Sequence, residues 1–193
     1  QIFTDVDGVY TADPRKVESA IKLDEISYDE MLELASLGAQ VLHNRSVEMA
    51  KKYNVQMEVL SSMERKSGTI VKEVCKMEKM NIKGVAKDDD IARISIIGIP
   101  DTPGMAFKIF SLLASLKVNV DIILQSIGRD GTKDIAFTVS KAHKDIAYKA
   151  LENMIEKWNF KKVAVDDSIC KVSIVGAGME TNPGIASKMF EAL

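Results

Sequence analysis

The 193-residue sequence holds little cysteine, histidine or proline, and it has no long uninterrupted apolar run. Its two cysteines, Cys75 and Cys170, lie far apart and form no CxxC pair. We therefore expect both to be small buried side chains in a reducing cytoplasm, because structural disulfides belong to oxidising compartments. The two histidines, His43 and His143, stand in no metal-ligand spacing, and we expect no metal site.

Neither sign of charge dominates, since 26 Lys and Arg residues face 28 Asp and Glu residues. A basic surplus that would suit nucleic acid or an anionic membrane surface is missing. No apolar stretch approaches the roughly 20 residues that a membrane-spanning helix needs. These features predict a cytoplasmic protein with neither nucleic acid nor membrane among its partners, built as one large or two small domains.

The first section, residues 1–80, alternates strand-like and helix-like patterns. Ser27 and Glu30 have the spacing of a capping box, and apolar residues follow at helical intervals until Gly38 interrupts them. A second helix is predicted at 45–53, a strand at 55–60 and a polar loop at 61–68. The charge-rich stretch 64–90 indicates a solvated connector with one short strand near 82–86.

Residues 91–167 have an order of their own. Strands are predicted at 91–99, 118–127, 134–139 and 160–165, and helices at 105–116 and 143–157. Pro103-Gly104 marks the first turn, and 128–131 has the composition of a hairpin turn. The resulting order, βαββαβ, is the ferredoxin-like pattern.

At residue 169 the same pattern begins again. Gly98, Pro103-Gly104 and Phe110 of the first copy recur as Gly176, Pro183-Gly184 and Phe190, with a two-residue insertion. Matching glycine, Pro-Gly and phenylalanine positions in two segments so far apart in the sequence indicate two copies of one module. The second copy contains a first strand and a first helix only.

A βαββαβ module with an Asp-x-Pro-Gly turn, here Asp101 to Gly104, resembles the ACT domain, an amino-acid-sensing fold. Gly104 would let the backbone approach a ligand, and the helix that follows would offer free N–H groups to a carboxylate. Asp101 and Asp121 are candidates to bind an ammonium group, although Asp101 alone could equally be a helix cap. The resemblance implies an effector site formed by Asp101, Gly104, Ala106, Asn119, Val120, Asp121 and Gln125.

The segment from Thr4 to Arg15 closely resembles the nucleotide-binding segment of aspartokinases, and residues 27–43 and 175–179 resemble later blocks of that family in order. The resemblance implies ATP with Mg²⁺ and L-aspartate as substrates, with Arg15 as the phosphate partner. It implies a nucleotide site formed by Thr4, Asp5, Tyr10, Thr11, Ala12, Asp13, Pro14, Arg15 and Gln40. Two residues depart from the family pattern: Gln40 replaces a lysine, and Asn44, which we expect to cap a helix, replaces a proline.

The implied fold class is α/β, the C-terminal part of an amino-acid-kinase domain followed by ferredoxin-like ACT domains. The kinase part would cover 1–80, a connector with a strand of the second ACT domain 81–90, the first ACT domain 91–167, and the start of a truncated second one 168–193. The family's phosphate loop and aspartate-binding residues are not in the sequence, so no catalytic residue is assigned. We expect this chain to be a middle piece that is inactive alone.

The implied regulation is feedback by lysine, threonine or both, bound to ACT domains in a homo-oligomer or in a pairing with a regulatory subunit. An alternative from another class is a non-catalytic regulatory subunit that binds an amino acid. The segment from Thr4 to Arg15 argues against it, because a pure sensor would not need a nucleotide site. A glutamate-kinase-type enzyme is disfavoured, since the repeat at 91 and 169 would be out of place there.

Overall fold

The computed structural model describes residues 1–73, 82–127, 131–176 and 183–192. The chain divides into two compact units, Gln1–Asp88 with Val172–Leu193, and Asp89–Lys171. The strands are β1 Ile2–Thr4, β2 Glu25–Ser27, β3 Met57–Ser61, β4 Thr69–Lys72, β5 Gly84–Asp88, β6 Ala92–Pro100, β7 Ile123–Ile127, β8 Thr132–Val139, β9 Lys162–Asp166 and β10 Lys171–Val175. The helices are α1 Tyr28–Ser36, α2 Asn44–Lys52, α3 Met105–Ser115, α4 Lys144–Glu152, α5 Ile155–Trp158 and α6 Ile185–Glu191.

The first unit contains a four-stranded sheet in the order β1-β3-β4-β2. Strands β1 and β3 run parallel, as do β2 and β4, whereas β3 and β4 are antiparallel. A separate two-stranded sheet joins β5 to β10. Ala86 of β5 and Val175 of β10 are buried in the same apolar cluster as Met31, Val59 and Val71. The two sheets of this unit therefore share one hydrophobic core.

Helix α1 begins at the predicted capping box. The Ser27 hydroxyl accepts a hydrogen bond from the Glu30 backbone N–H at 3.2 Å, and the Glu30 carboxylate accepts one from the Ser27 N–H at 3.2 Å. The helix ends at Ser36, just before Gly38, whose φ of +117° lies in a region that side chains other than glycine rarely adopt. A Cβ at Gly38 would also lie 2.9 Å from the Lys87 carbonyl oxygen.

The prediction of a solvated connector over 64–90 is wrong at one place. Residues 69–72 form the inner strand β4, where Thr69 and Val71 are fully buried. The short strand predicted near 82–86 is confirmed as β5, at 84–88. A four-residue strand with two apolar positions gives too weak an alternation to stand out among lysines and glutamates. Cys75 lies outside the described residues.

The second unit confirms the βαββαβ order. Its antiparallel sheet runs β7-β8-β6-β9, and the helices cover a core that includes Ile94, Ile109, Leu113, Phe137 and Leu151. Two predicted elements need correction. The strand predicted at 118–127 is regular only from Ile123, and the helix predicted at 143–157 is divided into α4 and α5. Most of the predicted hairpin turn, residues 128–130, lies outside the described residues.

The internal repeat is visible in the backbone. Gly104 precedes α3 with φ +86° and ψ 0°, and Gly184 precedes α6 with φ +93° and ψ −3°. Both conformations are left-handed, which explains the glycine at each position. The expectation of a buried Cys170 is wrong, because this side chain is exposed. Among the helices of the described residues, none has the length and apolar character to cross a membrane.

Candidate functional sites

The predicted nucleotide segment starts where strand β1 ends. Because β1 and β3 are parallel, their carboxyl ends meet at one edge of the sheet, the place where open α/β sheets bind ligands. The Thr4 hydroxyl donates to the Asp5 carboxylate at 3.0 Å, and the Thr4 carbonyl accepts from the Ser62 N–H at 2.8 Å. A cavity of about 300 Å³, lined by Phe3 and residues 60–66, opens at the same edge. Thr4 therefore supports the wall of this cavity.

A hydrogen-bonded group surrounds Asp7 further along the segment. The Tyr10 hydroxyl donates to Asp7 Oδ1 at 2.8 Å, and Lys22 Nζ lies 3.3 Å from Asp7 Oδ2. Lys22 also donates to the Ser67 carbonyl at 2.7 Å. The hydrogen bond from Tyr10, assisted by Lys22, holds the pKa of Asp7 below its usual value, and the same bond raises the pKa of Tyr10. The structure thus fixes Tyr10 through residues that the sequence analysis did not select.

The end of the segment is a turn that presents Arg15 to solvent. Arg15 Nε and Nη2 donate to the two oxygens of Asp13 at 3.0 and 3.2 Å, while the Arg15 N–H donates to Asp13 Oδ1. This bidentate contact lowers the pKa of the Asp13 carboxyl. The Arg15 side chain is nevertheless 78% exposed. Pro14 is exposed beside it, and Ala12 is half-buried.

Thr11 anchors the middle of the segment to two other parts of the first unit. Its N–H donates to the Ile21 carbonyl at 2.9 Å, and its hydroxyl accepts from the Ile21 N–H at 3.0 Å. Its carbonyl accepts from the Val85 N–H of strand β5 at 2.7 Å. The nucleotide segment is therefore hydrogen-bonded directly to the strand that pairs with β10.

The two departures from the family pattern lie in the connection between α1 and α2. Gln40 is exposed in the turn that follows α1. The expected cap at Asn44 is wrong: His43 is the N-cap of α2, with its Nδ1 accepting from the Arg45 N–H at 3.2 Å, and Asn44 is the first helical residue. Proline is favoured at the first position of a helix, which explains why the family pattern has proline where this chain has Asn44.

Thr69 is a supporting residue that the sequence analysis missed. Its fully buried hydroxyl accepts from the Val9 N–H at 2.8 Å and donates to the Leu23 carbonyl at 2.6 Å. It thereby joins the nucleotide segment to the start of β2. The neighbouring Gly68 has a steric role of its own, because a Cβ there would lie 1.8 Å from the Val59 carbonyl oxygen.

A second cavity, of about 300 Å³, lies in the second unit between the Pro-Gly turn, the start of α3 and strands β7 and β8. It brings together four of the predicted effector residues, Asp101, Gly104, Ala106 and Gln125. Gly104 is exposed, and a Cβ there would meet no atom of the described residues within 4 Å. Helix α3 begins without a side-chain cap, so the alternative of Asp101 as its cap is wrong.

The other three predicted effector residues do not line this cavity. Asn119 is exposed, and Val120 packs against the core of the second unit. Asp121 holds Lys171, whose Nζ lies 2.5 Å from Asp121 Oδ2. The structure therefore separates Asn119, Val120 and Asp121 from the four residues at the turn and on β7.

Lys133 is a cavity residue that sequence reasoning did not select. It lies on β8 opposite Ile99 of β6 and Ile127 of β7. Its Nζ is 2.6 Å from Asp101 Oδ1, and both side chains line the cavity. The Asp101 carboxylate, which was expected to bind the ammonium group of a ligand, therefore already binds the ammonium group of Lys133.

Comparison with known proteins assigns two parts of the chain to known families. A model of the amino acid kinase family matches residues 1–61, and an ACT domain model matches residues 94–154 and 172–193. An aspartate kinase of Pseudomonas fluorescens (strain SBW25) is 48% identical over an alignment that covers 100% of this chain and 47% of the relative. The chain thus spans about half the length of the curated relatives it matches.

Two solved structures carry the comparison further. The aspartate kinase of Clostridium acetobutylicum superposes with a TM-score of 0.86 at 26% identity, covering 99% of this chain and 44% of that one. The regulatory subunit of aspartate kinase from Thermus thermophilus, ligand-free, is 40% identical, with a TM-score of 0.54 and coverage of 58% of this chain and 74% of that one. The chain has a segment of the amino acid kinase family followed by ACT segments, and it matches aspartate kinases along its whole length. The chain belongs to the aspartokinase family.

Proposed function

We propose that the chain is the nucleotide-side and regulatory part of an aspartate kinase. This enzyme transfers the γ-phosphoryl group of ATP to the side-chain carboxylate of L-aspartate and forms 4-phospho-L-aspartate, the first step towards lysine, threonine and methionine. The observation that carries the proposal is similarity over the whole chain to aspartate kinases, with segment 4–15 at the carboxyl edge of the parallel strands β1 and β3.

Phosphoryl transfer depends mostly on positioning and on neutralising charge. Arg15 suits this task, because its exposed guanidinium is held in a defined direction by Asp13 and can offer a planar fork to phosphate oxygens. Thr4, Asp5 and Tyr10 would hold the adenosine part at the sheet edge, and Thr11 to Pro14 would lie along the nucleotide. Gln40 would add a hydrogen bond but no charge, since it stands where the family has a lysine.

Magnesium enters the proposal with the nucleotide. Within residues 1–73, 82–127, 131–176 and 183–192, no three His, Cys, Asp or Glu side chains gather where they could hold a metal ion. Mg²⁺ usually keeps several waters and binds through substrate phosphates with one or two carboxylates. We therefore assign the ion to the ATP phosphates.

Regulation is assigned to the second unit. The cavity beside the Pro-Gly turn has the residue types that an α-amino acid needs, an acid, a lysine, an amide and apolar walls. Feedback by threonine or lysine in the cytoplasm, through ACT domains of a homo-oligomer or of a paired regulatory subunit, completes the proposal.

The test uses the whole enzyme that contains this sequence. ATP- and aspartate-dependent hydroxamate formation should be measured for the wild type, for Arg15→Ala and for Arg45→Ala, an exposed arginine on α2 that serves as the matched control. We expect Arg15→Ala to raise the KM for ATP about tenfold, the cost of one charge-assisted contact. Arg45→Ala should leave it unchanged. No aspartate-dependent turnover in the wild type would overturn the proposal.

The second candidate is a regulatory subunit without catalysis. Its support is the match to the Thermus thermophilus regulatory subunit, of which this chain covers 74%. The two candidates differ in segment 4–15, because an amino-acid sensor has no use for a nucleotide site. Equilibrium binding of ATP, weakened by Arg15→Ala, favours the kinase; threonine binding without any ATP binding favours the subunit.

A further inference from the structure

The ion pair between Lys133 and Asp101 joins strand β8 to the turn that precedes helix α3. Both side chains are partly open to solvent, at 35% and 55%, and an exposed pair of this kind adds little to stability. Both side chains nevertheless face the same cavity, together with Gln125 and the first turn of α3. The pair therefore places one positive and one negative group side by side where a ligand would lie.

An α-amino acid carries the same two charges on adjacent atoms. If the amino acid lies alongside the Lys133–Asp101 pair, its ammonium group can bind Asp101 and its carboxylate can bind Lys133. One internal ion pair is thereby exchanged for two intermolecular ones, each a charge-assisted hydrogen bond. Asp101 and Lys133 are the only charged residues among the described residues that line the cavity. The two charges of a zwitterion are thus matched, and an additional cation on the ligand would find no second acid among the described residues that line the cavity.

We propose that Lys133 determines the specificity of this cavity, by binding the α-carboxylate and by restricting the occupant to amino acids with an uncharged side chain. The remaining walls agree, because Ile99, Met105 and Ile135 are buried apolar residues and Gln125 supplies one amide. The inference rests on the proposed function only in taking the cavity as an effector site.

The experiment is calorimetric titration of the whole enzyme with L-threonine, L-threonine methyl ester and L-lysine. The variants are Lys133→Met, which keeps the length but removes the charge, and Lys133→Arg, which keeps the charge. Lys149→Met, at an exposed lysine of α4, is the matched control. Turnover without effector is measured for each variant in parallel.

We expect Lys133→Met to weaken L-threonine binding by about tenfold or more, Lys133→Arg to retain most of it, and Lys149→Met to change nothing. The ester, which lacks the carboxylate, should bind weakly and equally to the wild type and to Lys133→Met. L-Lysine should bind this cavity more weakly than L-threonine in the wild type.

Two results would overturn the inference. Unchanged or tighter threonine binding by Lys133→Met would show that Lys133 does not hold the carboxylate. Equal loss for the ester and the free amino acid would show that Lys133 acts elsewhere. Calorimetry does not depend on catalysis, so a protein that binds threonine through Lys133 but does not phosphorylate aspartate would refute the proposed function alone.

Discussion

At the scale of single residues, the candidate nucleotide site is held by acids that bind partners within segment 4–15 and, for Asp7, also Lys22. Asp7 is the clearest case, because Tyr10 and Lys22 both lower its pKa. A carboxyl with a lowered folded pKa stabilises the fold above its unfolded pKa of about 4. That contribution disappears as the pH falls through the folded pKa.

We therefore expect Asp7→Asn to lower the midpoint of thermal unfolding at pH 7, by a few degrees for about 1 kcal/mol. The difference from the wild type should shrink as the pH falls below about 4, because protonated Asp7 and Asn then carry the same charge. Melting curves between pH 3 and pH 7 measure it, with the exposed Asp24→Asn as the control. A difference that stays constant with pH would mean that the Asp7 charge is not what stabilises the turn.

The sequence motif selected the residues of segment 4–15 as candidates for nucleotide binding, and the structure adds what they contact. Lys22 and Lys133 could not be found that way, because their partners depend on strand pairing and not on neighbours in the chain. The placement of Asn119, Val120 and Asp121 outside the cavity depends on where β7 becomes regular, which the apolar pattern of 118–127 does not reveal.

At the scale of elements, the periodic segments were predicted, including the short strands β3 and β5, but strand β4 was not. The capping box defined the start of α1, and the six-element order of the second unit followed from alternation and helical spacing. Strand β4 was missed because four residues carry too little pattern. It is nonetheless an inner strand, and its Thr69 joins the nucleotide segment to the start of β2.

Replacement of Thr69 should show how much that connection matters. Thr69→Val keeps the shape but leaves the Val9 N–H and the Leu23 carbonyl buried without their partner, at a cost of about 1–3 kcal/mol for each group. Thr69→Ser keeps the hydroxyl and loses only a methyl group, for about 1 kcal/mol. In urea unfolding, the free energy of unfolding should therefore be highest for the wild type, lower for Thr69→Ser and lowest for Thr69→Val. A valine variant as stable as the serine variant would assign the role of Thr69 to packing alone.

At the scale of the whole molecule, each unit has a hydrophobic core of its own. Met31 is fully buried in the first core, and Ile109 is fully buried in the second. Separate cores favour separate cooperative transitions, since cooperativity follows the packed interior.

We expect Met31→Ala and Ile109→Ala each to shift one calorimetric transition to lower temperature. The free energy of unfolding of the unit that holds the residue should fall by about 2–5 kcal/mol. Met31→Leu and Ile109→Val, which preserve most of the volume, should give smaller shifts of the same transitions. If every variant moved one common transition, the two cores would unfold together and the division into units would have no thermodynamic meaning.

The hydrogen bond from the Val85 N–H to the Thr11 carbonyl bears on how the molecule can be dissected. A cut after residue 80, where the chain order suggests a boundary, would remove that donor and also Ala86 and Val175 from a core they share with Met31. In the truncated protein the Thr11 carbonyl would lose its hydrogen-bond donor, and the apolar side chains that pack against Ala86 and Val175 would be exposed to water. Replacement of the second unit by another domain would therefore have to keep β5 and β10 with the first unit.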